Sequence, residues 1–405
     1  MFIPSVRRPL DINAPPSIAA AIAIGIIGSL ALPFLPMTVG VLTDELGFTQ
    51  RQVGLLASAD MAGMLLGNIG ALFWVRHRYW RWITVCMTLT LLAAHATTTV
   101  LTLGQPTLLT LLGCRIAAGA AGGAMMAIGA TAIGDTLKRE KNIALWTASQ
   151  SLVSAAAFLL MPTMVARYGA AGVFGMMTCL ALLAILFVPL LAHSQAHAGR
   201  PFPIGESLDK GDAAGMTAAN IRLALLATLP GLLFHMGYSA IWTYVERIGI
   251  AAGLTLLDVS RAIAMALIVA ITGGLSAFFL ATRWGYTIPL VITLTLQVTA
   301  IALLSQSQES LFNYTVALML FTFCLNFPIP YHLGIALTID RSGRTPIFYL
   351  IMLKIGVAIT PSLVSIAITP GNYLPALLGG VVFFTLCFLH LLLLIFLMHS
   401  NKVSV

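Results

Sequence analysis

The sequence predicts an all-α integral membrane protein, with twelve transmembrane helices in two pseudo-symmetric six-helix bundles. Three observations predict it. Of the 405 residues, 59% are hydrophobic and only 8% charged, where a soluble domain carries about 25% charged residues. Apolar runs long enough to cross hydrocarbon, about 20 residues each, recur twelve times. A shift of 206 residues lays the first half of the chain on the second.

In chain order, helices are expected near 17–42, 51–75, 81–103, 107–136, 141–166 and 170–192. A second set is expected near 219–247, 255–282, 286–304, 310–338, 346–369 and 372–398. The polar stretch 193–218 between the sets is the one long connector, at mid-chain. It divides the chain into a first bundle (1–192), a cytoplasmic linker (193–218) and a second bundle (219–405).

Charges occupy the short connectors. With the N-terminus inside, fifteen Lys and Arg fall on the inner side, against Arg51, Arg167 and Arg247 outside. The inner set is Arg7, Arg8, Arg76, Arg78, Arg81, Lys138, Arg139, Lys141, Arg200, Lys210, Arg222, Arg283, Arg341, Arg344 and Lys402. Basic connectors stay cytoplasmic, so both termini are expected in the cytoplasm, the chain lying in a bacterial-type inner (plasma) membrane. The same bias accounts for the net charge of +8 without nucleic acid. The run after Arg7 and Arg8 is long and lacks a cleavage site, so it reads as a first helix that stays. Five cysteines lie inside apolar runs without CxxC spacing and read as packing residues.

The repeat is clearest at the second helix of each half. GFTQRQVG (47–54) aligns with GLTLLDVS (253–260), and Gly67, Ala71 and Phe73 meet Gly273, Ala277 and Phe279. Thr49-x-x-Gln52 and Thr255-x-x-Asp258 each offer a hydroxyl to an orphan amide at a helix start. Matching second helices imply parallel bundles related by an axis along the membrane normal.

In the fourth helix, Arg115 is followed at i+4 by Gly119 and then by Gly122 and Gly123, and the loop after it runs Gly134-Asp135 to Glu140. These segments resemble the R-x-x-x-G motif and the following polar loop of the major facilitator superfamily. The helix count, mid-chain linker and repeat extend the resemblance over the whole chain. It implies a secondary transporter working by alternating access, not an enzyme. The sequence departs from the family at the loop G-x-x-x-D-R-x-G-R-R. Residues 67–81 keep the glycines and basic cluster but hold no acid, and Thr282 stands where the second-half acid belongs. The fifth helix has Met161-Pro162 but lacks the G-P pair of drug–proton antiporters.

Few charges lie inside the apolar runs. Asp60 is the one acid read as well inside a span, about 13 Å deep at 1.5 Å per residue, and Arg115 lies about 12 Å deep by the same measure. Equal depth allows an ion pair that carries or senses a proton, since intramembrane ionisable residues are functional by default; the bland alternative is a permanent packing pair. Lys354 and His332 lie at similar height and could receive an anionic group, unless Lys354 snorkels to the inner interface. His235 and His95 sit within spans, where a lone histidine more often packs. His235 has company in Phe234, Tyr238 and Trp242, which share one helical face. Phe323, Phe327 and Tyr331, near Asn326, repeat this in the tenth helix. Such faces suit a partly aromatic ligand, though apolar stripes usually mean packing. Gly63-x-x-x-Gly67 and Gly119-x-x-x-Gly123 offer close helix approach. Pro33, Pro36, Pro162, Pro230, Pro328, Pro330 and Pro361 offer bends.

The reading is proton-coupled movement of a small organic solute, anionic because Arg115 and Lys354 outnumber Asp60. Efflux of drug-like compounds by proton antiport is the alternative within transport. An integral-membrane transferase is disfavoured, because His332 and Asp340 gather no nucleophile–base–acid set. The expected partners are a small-molecule solute, protons and the lipid bilayer. Neither cofactor nor metal is expected, and the chain is expected to act as a monomer.

Overall fold

In a computed structural model, the described residues are 11–75, 80–192, 218–280, 283–308, 310–339 and 345–400. Nearly all the predicted linker 193–218 lies outside them, as do Thr282, Asp340 and the basic residues Arg7, Arg8, Arg76, Arg78, Arg200, Lys210, Arg341, Arg344 and Lys402. The described chain is helical, without a β-strand. Among the described residues, twelve segments are long and apolar enough to cross a membrane. The first six are Pro15–Asp44, Gln50–Ala71, Trp80–Leu101, Leu108–Gly134, Arg139–Tyr168 and Ala170–Leu190. Spans seven to twelve are Ala224–Ala251, Leu256–Ala277, Thr287–Ser305, Leu311–Thr338, Phe348–Ser365 and Leu374–Met398.

Predicted and observed ends agree within a few residues, with two informative differences. The seventh span continues to Ala251 rather than 247, and Gly253 (φ 88°) follows it, the left-handed conformation that commonly ends a helix. The eleventh stops at Ser365 rather than 369, and beyond it Thr369 and Asn372 pair in a short bridge. Among the described residues, three spans are interrupted. The first breaks at Leu30, the seventh at Thr243–Tyr244 and the tenth at Phe327–Pro328. Pro162, Pro230 and Pro361, expected as bends, sit inside uninterrupted helices.

Both predicted caps form at the second helix of each half. Thr49 accepts from the Gln52 amide while Gln52 reaches back to the Thr49 amide, and Thr255 accepts from the Asp258 amide. The second and fourth spans then meet along the four glycines. A Cβ on Gly63 would strike the backbone of Ile116; on Gly67, Ala120; on Gly119, Asp60; on Gly123, Met64. Gly273, the repeat mate of Gly67, meets the backbone of Phe323 in the corresponding eighth–tenth seam. Gly67→Ala is expected to cost about 1–3 kcal/mol by overpacking, read as a lower thermal midpoint of the purified protein. Gly70→Ala, where a Cβ meets nothing within 4 Å, should leave the midpoint unchanged.

Two long seams join the halves: the second span packs on the eleventh, and the fifth on the eighth. The second half of the first span also packs on the short helix Val245–Ala251 that ends the seventh.

Candidate functional site

Inside the first bundle, Arg115 Nη1 lies 3.6 Å from Asp60 Oδ2, with side chains only 4% and 6% exposed. The guanidinium is held from two further spans. Its Nη2 donates to Thr98 Oγ1 at 2.7 Å and approaches His95 Nδ1 at 3.4 Å, and its Cζ stands 4.9 Å from the centre of the Phe174 ring. A guanidinium only donates, so His95 Nδ1 is the acceptor and the ring proton sits on Nε2. Asp60 Oδ1, Arg115 Nε and Arg115 Nη1 have no protein hydrogen-bond partner. A cavity about the size of one water adjoins Asp60 and His95, lined also by Gly28, Leu30 and Ala118. Thus the break in the first span abuts the buried acid. The ion pair is loose beside a hydrogen-bonded one, so its two charges can part without first undoing a short bond.

The second-bundle candidates divide between core and interface. His235 Nδ1 faces the Gly231 carbonyl at 2.9 Å, and His332 Nδ1 faces the Tyr349 hydroxyl at 3.3 Å. The Phe234 ring stands edge-on between the two imidazoles, 5.3 and 5.4 Å away. Tyr238 stacks between Trp242 and Phe321. Asn326 Nδ2 donates to the Ala270 carbonyl, and Tyr331 packs on Phe327, its buried hydroxyl without a protein partner. Hence His235, Tyr238 and His332, each 4% exposed or less, are engaged within their own bundle. Lys354 is not. Its ammonium crosses the interface to Met64 Sδ (3.6 Å) and Met126 Sδ (3.8 Å) of the first bundle instead of snorkelling inward. Among the described residues no carboxylate pairs with it. His332 and Lys354, grouped on the sequence by height, therefore have different partners.

A third cluster closes the side that the charge bias assigns to the outside. Arg247 holds Asp44 bidentately, Nη1 to Oδ1 at 2.6 Å and Nη2 to Oδ2 at 2.7 Å, and holds Glu246 through Nε and Nη2 at 2.7 and 2.8 Å. Asp44 ends the first span, so this ion pair joins the bundles. A Cβ on Gly40 would stand 2.5 Å from Glu246 Oε2, so glycine is what admits the carboxylate. Nearby, Gln50 donates to the Tyr373 hydroxyl, and Ser362 N–H donates to Ser58 Oγ at 2.9 Å.

Two sequence readings are corrected here. Asp60 is not the sole buried acid, because the Glu246 side chain is 1% exposed. Glu246 lies one residue from the expected end of the seventh helix at 247, while the helix goes on to Ala251. His95, set aside as a packing residue, touches the Arg115 guanidinium. Its spacing hid this: the partner lies on another helix, and no i+4 pattern could point to it.

The family model described as Major Facilitator Superfamily matches residues 17–361. Solved structures share the fold at low identity. The nucleoside transporter NupG aligns with TM-score 0.71 at 10% identity, covering 95% of this chain and 99% of that one. A D-xylose-proton symporter aligns with TM-score 0.68 at 11% identity, covering 92% and 96%. The POT family transporter PepTSo aligns with TM-score 0.71 at 12% identity, covering 97% and 99%. No curated protein sequence matches the chain.

Proposed function

The chain belongs to the Major Facilitator Superfamily, and from that premise we propose that it moves a small organic anion by alternating access, coupled to protons. The observation that carries this reading is Lys354. A cation at the interface of two bundles in lipid is expensive to keep. Here it faces two thioether sulfurs, which are weak acceptors, and no acid among the described residues. A solute carboxylate is the partner that chemistry asks for. The Met61, Met64, Val357 and Ala358 cluster beside it supplies an apolar floor.

Asp60 and Arg115 take the proton-linked role. The pair lies inside the first bundle, with Asp60 beside a water-sized cavity and one helical turn from Met64, which touches the lysine. Protonating Asp60 releases Arg115 to Thr98 and His95 alone, and the close seam of Gly119 against the Asp60 backbone passes the change to the helix. A proton-linked solute carrier among the structural neighbours, the D-xylose-proton symporter, supports the coupling by analogy of fold only.

The test is uptake of labelled organic acids into proteoliposomes under an inward proton gradient. Accumulation under that gradient is expected, and accumulation only with the gradient reversed would favour export instead. Lys354→Gln is expected to weaken binding of the accumulated acid at least tenfold, about 1.4 kcal/mol, the scale of a lost charge-assisted hydrogen bond. Equal binding by wild type and variant would remove the lysine from the site.

A further inference from the structure

Proline at position i removes the amide that would serve the carbonyl at i−4. Three such carbonyls in this chain are each served by a side chain from another span. Pro230 frees the Leu226 carbonyl, which accepts from His390 Nε2 at 2.9 Å. Pro361 frees the Val357 carbonyl, which accepts from Ser239 Oγ at 3.2 Å. Both donors belong to the second bundle, like their acceptors. Pro36 frees the Leu32 carbonyl of the first bundle, and its donor is the indole Nε1 of Trp242 in the second, at 2.9 Å. This bond therefore crosses the interface.

The crossing bond sits beside the proposed solute site. Leu32 and Leu353, next in sequence to Lys354, both pack on the Met61, Met64, Val357 and Ala358 cluster, and Met64 touches the lysine ammonium. Leu32 follows the break in the first span at Leu30, and Trp242 precedes the break in the seventh at Thr243–Tyr244. Both breaks fall in the first helix of their half, and discontinuous helices in the two repeats are where transporters of repeated architecture bind their cargo. When the bundles part, the Leu32 carbonyl loses its donor and the indole N–H loses its acceptor. Neither can be left bare in a low-dielectric passage without cost.

We infer that the Leu32 carbonyl and the Trp242 indole N–H form a hydrogen-bonding subsite, closed on itself here, that takes a hydroxyl of the solute. A hydroxyl both donates and accepts, so one group satisfies both partners. With Lys354 taking the carboxylate, the solute class is a hydroxy acid. This rests on the proposed anion site.

Purified protein in nanodiscs is titrated with matched acids that differ by one hydroxyl: glycolate and acetate, lactate and propionate, mandelate and phenylacetate. In at least one pair the hydroxy acid is expected to bind at least about tenfold more tightly, since the deoxy acid leaves a buried donor and acceptor unpaired. Pro36→Ala returns an amide to the Leu32 carbonyl and is expected to shrink that ratio to about twofold or less. Trp242→Phe, which keeps the bulk and frees the carbonyl, is expected to retain a preference of at least about threefold. Acids bound equally well with and without the hydroxyl overturn the subsite and leave the anion site standing. A preference that survives Pro36→Ala intact also overturns it. If none of the six acids binds, the anion reading itself falls, and the subsite with it.

Discussion

Replacing Asp60 with Asn is expected to abolish proton-driven accumulation while leaving solute counterflow within about twofold of wild type. Asn keeps the shape and can still accept from Arg115, but it cannot take up or release a proton. Counterflow needs only the rocking of the bundles around the loaded site, so it survives. Net uphill movement needs the protonated and unprotonated forms to differ, and the amide removes that difference. Breaking a buried pair by removing one charge costs about 3–5 kcal/mol in the strong cases. The 3.6 Å separation places this pair at or below the lower end. Some loss of thermal stability is therefore expected beside the uncoupling. Unchanged accumulation in the variant would take Asp60 out of the mechanism, whatever the stability.

The second large effect is expected at the outer ion cluster. Arg247→Ala strands Glu246, whose side chain is 1% exposed, in the closed arrangement. Opening the outer side brings that carboxylate to water. The closed form should lose about 3 kcal/mol relative to the open one, in the range for an unpaired buried charge, or roughly a hundredfold in population. A cysteine placed at Ser58, which accepts from Ser362 across the interface, reports the change through its rate of labelling by an impermeant maleimide. Glu246→Gln combined with Arg247→Ala removes the stranded charge and should recover most of the slow labelling. Asp44→Asn should do far less, several-fold at most, because Asp44 is 56% exposed and water already screens it. Equal rates for Arg247→Ala and wild type would mean that the cluster does not hold the outer side shut.

What could be read from the sequence divides along a physical line. Hydropathy and the positive-inside bias depend on the order of residues along each helix, so twelve spans and their ends were legible. The capping boxes and the GxxxG seam are also local in sequence. Depth is a count of residues, and it placed Asp60 and Arg115 at one height. Rotation about each helix axis is not written in an all-apolar run, because lipid and protein neighbours select similar side chains. That is why His95 and Thr98 beside Arg115 went unseen, and why the aromatic face of the seventh span did not announce Phe321 as its neighbour. Glu246 was lost for a different reason: it falls one residue from the expected helix end at 247, while the helix runs on to Ala251. Pro36, read on the sequence only as a bend, leaves the Leu32 carbonyl short of a donor. Only the assembled bundles name the donor.

The proline-freed carbonyls bear on how stiffness is distributed in this molecule. Where His390 serves Leu226 and Ser239 serves Val357, donor and acceptor travel together, so a turn of the whole half leaves both braces intact. The Trp242 brace is anchored on opposite halves, so the proposed alternating access dismantles and rebuilds it in every turnover. The bond that has to yield is thereby set beside a helix break in each half, at Leu30 in the first span and at Thr243–Tyr244 in the seventh.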